Sequence, residues 1–149
     1  MKKPEGILNP KISELVSRMG HGDRLTVTDR GFPLPLNNDV TVADVSVGAN
    51  LPGVVEVVDT ILKELEIEEV IIAEETEEIS PEIHEQFMDI VGDLDNKGND
   101  IEITVIPHQE FKHLVLRGAE EKKEEMKGMV RTGELTPYAN IMLVSGVTF

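Results

Sequence analysis

Short runs rich in β-branched residues alternate along this chain with stretches whose apolar residues recur every three or four positions, and that alternation leaves few folds open. Leu25–Thr28, Val42–Val47, Glu69–Ala73, Ile101–Ile106 and Ile141–Val144 carry the strand signature. Ahead of them, Ile12, Leu15, Val16 and Met19 form one apolar helix face. Asn9-Pro10 suits its start and Gly20 its end, because Asn caps free N–H groups and Pro fits the first helical turn. Val54–Leu65 is amphipathic, and Ser80-Pro81 opens a helix carrying Ile83, Phe87, Ile90, Val91 and Leu94. The stretch from Gln109 to Val130 is expected to be largely helical, with a break at Gly118. Such alternation predicts the α/β class: one compact three-layer domain over residues 1–149, with a mainly parallel sheet. Sheets of this kind place ligands beyond the C-terminal ends of their strands. Asp29 and His108 each stand just after an expected strand.

Composition narrows the chemistry. There is no cysteine, so disulfides and thiolate chemistry are excluded. The net charge of −15 opposes attraction to phosphate backbones and anionic membranes, so no nucleic-acid or membrane partner is expected. Lys122–Lys127 is the densest basic group, but Glu124 and Glu125 interrupt it, as on a solvated helix face. No apolar run reaches the roughly 18 residues that span a bilayer. The lysines at the start have no apolar stretch behind them, so a secretory signal is not expected and the cytoplasm is. Glycine-rich phosphate loops and a GxSxG nucleophile elbow are absent.

Four histidines are the natural acid–base candidates. His21 follows Gly20 and precedes Gly22-Asp23; it suits either proton transfer, with Asp23 or Asp29 orienting it, or a plain loop position. His108 follows Pro107 between a strand and a helix, where a helix N-terminus disfavours the imidazolium. It reads equally as a capping or loop residue. His84 and His113 read as solvated. His108 and His113 are too far apart for a zinc helix, and Glu74-Glu75 with Glu77-Glu78 read as a solvated element end, so no metal site is expected. Tyr138 and Asn140, in Thr136-Pro137-Tyr138-Ala139-Asn140, offer groups that suit sugar hydroxyls, though a turn before the last strand explains them too.

In order along the chain, Gly20-His21-Gly22-Asp23, Asp29-Arg30-Gly31-Phe32-Pro33, Ile71–Glu75, His108 with Phe111-Lys112, Arg131–Glu134, Pro137–Ile141 and Gly146–Phe149 resemble the ribose pyranase and fucose mutarotase family, with an ending closer to its ribose branch. The resemblance covers nearly the whole chain. It implies a compact α/β domain assembled into rings, a homodecamer of two stacked pentamers, with the sugar near a subunit boundary and no metal or organic cofactor. It implies His21 as the proton donor and Asp29, His108, Tyr138, Ala139 (through its backbone) and Asn140 as sugar-binding positions, with Lys112 as a further contact. Leu114 to Lys127 is longer than the family pattern.

The implied activity is cofactor-free interconversion of the pyranose and furanose forms of D-ribose, supplying ribose for catabolism. A mutarotase that exchanges fucose anomers, a non-enzymatic sugar-binding module and a purely structural ring protein are the competing readings.

Overall fold

The computed structural model describes residues 1–35, 40–117 and 126–149. The elements run α1 (Pro10–Arg18), β1 (Arg24–Thr28), β2 (Thr41–Asp44), α2 (Val54–Ile61), β3 (Ile67–Ala73), α3 (Glu74–Ile79), α4 (Pro81–Asp95), β4 (Glu102–Ile106), α5 (His108–Arg117), β5 (Met126–Arg131) and β6 (Ile141–Ser145). The six strands form one sheet in the order β2-β5-β1-β6-β3-β4. β5 runs parallel to both β2 and β1, and β3 runs parallel to β4. β6 alone is reversed, lying antiparallel between β1 and β3.

Local chemistry explains most boundaries. The Asn9 side chain accepts the N–H groups of Lys11 and Ile12 and so caps α1. The helix stops at Met19, which is already extended, one residue before the expected glycine stop. α2 turns Val54, Val57, Val58 and Ile61 inward. Each such buried side chain contributes about 1.5–3 kcal/mol. α2 ends at Ile61, earlier than the expected Leu65.

Two hydrophobic layers enclose the sheet. Side chains of α1, α2 and α4 pack with Val27, Val70, Ile72, Ile141 and Leu143 on one face. On the other, Phe111 and Val115 of α5 pack with Phe32, Ile71, Met129 and Met142. The three-layer expectation therefore holds, with a sheet that is mainly parallel.

The strand expected over Val42–Val47 ends at Asp44, and two further expectations need correction. The helix expected over Gln109–Val130 ends at Arg117, and Met126–Val130 belong to β5, a central strand. Gly128 is the physical key, since a Cβ there would meet the Leu15 side chain of α1 at 2.6 Å. Glycine thus lets α1 pass close over the strand, and glycine also weakens a helix. The expected break at Gly118, with most of the Lys122–Lys127 run and of the long Leu114–Lys127 segment, lies outside the described residues. Second, the acidic stretch after β3 is a helix of its own, α3, with Thr76 buried beneath it.

Candidate active site

The C-terminal ends of β1, β3, β4 and β5 and the start of β6 share one end of the sheet, because β6 is reversed. Register pairs Val27 with Ile141, which brings Asp29 next to Asn140. Asn140 Nδ2 donates to Asp29 Oδ2 at 2.9 Å, and Asp29 N donates back to Asn140 Oδ1 at 3.0 Å. Both residues are buried. Burial pushes the Asp29 carboxyl above its ordinary range; the Asn140 amide, the N–H groups of Gly31 and Phe32 and the charge of His108 pull it back.

His108 opens α5 just past β4. Its backbone N–H donates to Glu75 Oε2 at 2.8 Å. Its ring lies 4.9 Å, centroid to centroid, from Tyr138 in an edge-to-face contact. Phe32 touches it edge-on at 6.0 Å, and Phe111 lies parallel to it at 6.5 Å. His108 Nδ1 is buried and has no hydrogen-bond partner among the described residues. Burial holds the imidazole below its ordinary pKa; Glu75 opposes this, Lys112 adds to it, and Asp29 opposes it. The environment thus favours the neutral ring, with one enclosed nitrogen unpartnered among the described residues.

These groups border a cleft of about 530 Å³, lined among others by Asp29, Phe32, His108, Lys112, Tyr138 and Asn140. Five of the sequence-expected positions thus meet there. Ala139, between two of them, is fully buried in the main core and does not line the cleft. A larger hollow of about 640 Å³ adjoins the cleft across Glu134, Thr136 and Pro137.

His21 is elsewhere. It precedes β1, whereas Asp29 follows it, so a strand of five residues separates them. At the usual strand rise that is roughly 17 Å. His21 Nε2 meets Glu68 Oε2 at 2.9 Å on an exposed surface. The expected orienting groups, Asp23 and Asp29, do not serve it: Asp23 Oδ2 accepts Gly20 N–H at 2.8 Å, and Asp29 lies in the cleft. Of the other histidines, His113 is exposed and His84 half-buried.

Reading the residues alone missed several contributors. Glu134, buried, accepts Val54 N–H at the uncapped start of α2 and both the N–H and the hydroxyl of Thr136. Burial acts to raise its pKa, but the bonds from Thr136, Val54 and Leu135 prevail and hold it below the ordinary range. The only sequence trace of that role was its place in Arg131–Glu134. Phe111 stands three residues after His108 in a helix, a spacing that already put both on one face.

Residues 1–148 match the model of the RbsD / FucU transport protein family. The chain belongs to that family. Within it, the D-ribose pyranase of Thermotoga petrophila is 43% identical over 147 residues, covering 99% of each chain. That of Clostridium perfringens is 41% identical over 143 residues, covering 96% of each. Bacillus subtilis RbsD, solved in complex with D-ribose, superposes with a TM-score of 0.80 at 33% identity over the full length of both chains. The Streptococcus pneumoniae fucose mutarotase shares the fold, with a TM-score of 0.68 at 21% identity. Among the described residues, no helix of this family member is long and apolar enough to cross a membrane. Nor do three or more His, Asp or Glu side chains gather there as a metal ion would need.

Proposed function

We propose that this protein is a D-ribose pyranase, interconverting the pyranose and furanose forms of the free sugar. The observation that carries this reading is the convergence of Asp29, His108, Tyr138 and Asn140 on one cleft, in a chain 43% identical to a D-ribose pyranase over nearly its whole length. The ring must open to the aldehyde and close through a different hydroxyl. Opening takes a proton from the anomeric hydroxyl and delivers one to the ring oxygen. His108, half-buried and with its proton affinity lowered, accepts the first directly or through a water. His21 delivers the second. Asp29, Tyr138 and Asn140 hold hydroxyls. Positioned acid–base groups contribute roughly 10²–10⁴-fold each, enough for a reaction that already proceeds slowly in water.

His21 cannot meet the sugar within one chain, since β1 lies between it and the cleft. The working site therefore joins two copies, with His21 of one facing the cleft of the next. Such head-to-tail contact closes into a ring when the rotation between neighbours divides a full turn. Exposed Leu51, Ile79 and Leu135 near the cleft and Ile103 and Val105 on the β4 edge supply apolar surface for assembly. The proposed assembly is a homodecamer of stacked pentamers in the cytoplasm.

Saturation-transfer NMR on free D-ribose tests the activity. The protein is expected to raise the pyranose–furanose exchange rate at catalytic concentration. Broadened sugar signals without faster exchange would leave only a binding module, and faster anomer exchange with fucose but not ribose would indicate the mutarotase.

A further inference from the structure

Sheet order puts β3 between β6 and β4. The chain leaving the C-terminal end of β3 must therefore run between the segment that enters β6, which carries Tyr138, and the segment that leaves β4, which carries His108. That chain is α3, and it bonds to both. The hydroxyl of Thr76, itself fully buried, donates to Tyr138 O at 2.8 Å. The hydroxyl of Ser80, at the end of α3, donates to Pro137 O at 2.6 Å instead of capping α4, the helix it precedes. Glu75 Oε2 takes the His108 N–H at 2.8 Å.

Tyr138 needs such restraint. Its φ is 58°, in the left-handed region that a bulky side chain avoids unless its surroundings impose it. Relaxing that peptide would swing the ring away from His108. The carbonyls on both sides of Tyr138 N–Cα are the atoms that Thr76 and Ser80 hold. None of Glu75, Thr76 and Ser80 lines the cleft.

We propose that α3, with the Ser80 that ends it, is the positioning element of the sugar site: Thr76 and Ser80 hold the backbone on either side of Tyr138 Cα, Glu75 holds that of His108, and together they set the 4.9 Å spacing of the two rings. The inference rests on reading the cleft as the ribose site and extends it to residues that touch no sugar.

Thr76→Val keeps the shape of the side chain and removes the hydroxyl; Thr76→Ser restores it. In the full-length protein, Thr76→Val is expected to lower ribose exchange about tenfold, because a misplaced group costs rate steeply. It is also expected to move the His108 ring-proton resonances, which sense the Tyr138 ring, without sugar present. Thr76→Ser should recover both. Should Thr76→Val not fold, Ser80→Ala carries the same two readouts. Glu75→Gln keeps the acceptor and removes the charge. His108 is faced by Glu75 from α3, Lys112 from its own helix, Asp29 from the end of β1 and Tyr138 from the loop before β6. Losing the Glu75 charge lowers the affinity of His108 for a proton, so the acid limb of the pH–rate profile should move to lower pH. Wild-type rate and wild-type ring shifts in both Thr76→Val and Ser80→Ala would overturn the proposal. Absence of ribose exchange in the wild type would overturn the reading of the cleft instead, while the sugar-free ring shifts would still decide the role of α3.

Discussion

Asp29 and Asn140, far apart in sequence, hold each other through two hydrogen bonds at the floor of the cleft, amide to carboxylate and backbone N–H to amide oxygen. The pair joins the end of β1 to the start of β6. Asn140 is the only neutral side chain of its shape that can both donate to the carboxylate and accept the N–H.

Asn140→Asp places a second carboxylate against Asp29 in a buried site. Two such groups cannot both ionise cheaply. The variant is expected to lose about 3–5 kcal/mol at pH 7, the usual cost of an uncompensated buried charge, and to recover most of it at acid pH, where the pair shares a proton. Urea melts at both pH values check this. An equal loss at the two would point to packing rather than charge.

His108 carries a pH dependence whose sign follows from its depressed proton affinity. The unfolded chain binds a proton below about pH 6.5, the ordinary imidazole value, before the folded one does. Acid therefore favours unfolding, and the stability contributed by the neutral ring is present above that value and lost as pH falls through the lower, folded pKa. Replacing His108 by Gln should flatten the melting temperature over the acid side of this window. Thermal scans of both proteins from pH 5 to pH 8, roughly the range over which imidazole charge changes, show it. A parallel decline in the two would assign the effect to other groups.

Phe111 is fully buried and touches both Phe32 and the His108 ring. Phe111→Ala should cost about 3–5 kcal/mol, the usual range for a buried aromatic. It should also loosen His108, so exchange activity is expected to fall at temperatures where the variant is still folded. Calorimetry with ribose exchange measured on the same sample separates the two effects.

Gly133 and Gly128 look alike in sequence but differ in what a methyl group would meet. At Gly133 a Cβ would strike Gly48 O at 2.3 Å and Leu51 O at 2.6 Å, both backbone atoms. At Gly128 it would strike the end of the Leu15 side chain, which can rotate. Gly133→Ala is therefore expected to destabilise by at least the 1–3 kcal/mol typical of overpacking, and Gly128→Ala by less. Denaturant midpoints rank them, and the reverse order would contradict the assignment.

The proposed two-copy site makes a mixing prediction. His21→Ala and His108→Ala proteins, each inactive in ribose exchange, should regain activity when dissociated and reassembled together. Mixed rings contain some junctions where an intact His21 faces an intact His108. No recovery, with mixed rings verified by mass, would place both histidines on one chain's site or remove His21 from the chemistry.

The sequence by itself determined the class of fold and most of its strands, because burial on a sheet and on a helix imprints different apolar periods. Asn9 at the start of α1 and the runs Leu25–Thr28, Glu69–Ala73 and Ile141–Val144 were legible for that reason. So were Asp29, His108, Tyr138 and Asn140 as site candidates, being polar groups at strand ends in an order that resembles a family. β5 was not, since Met126–Arg131 lacks alternation and its Gly128 answers to Leu15, a partner more than a hundred residues away. The acidic segment Glu74–Glu78 looked merely solvated, yet Glu75 and Thr76 bond to His108 and Tyr138. What only the tertiary structure decided was direction and company. Reversal of β6 brings Asn140 to Asp29, and the length of β1 separates His21 from both. Neighbours in a sheet are set by pairing across the whole chain, and local sequence carries no record of which strand lies beside which.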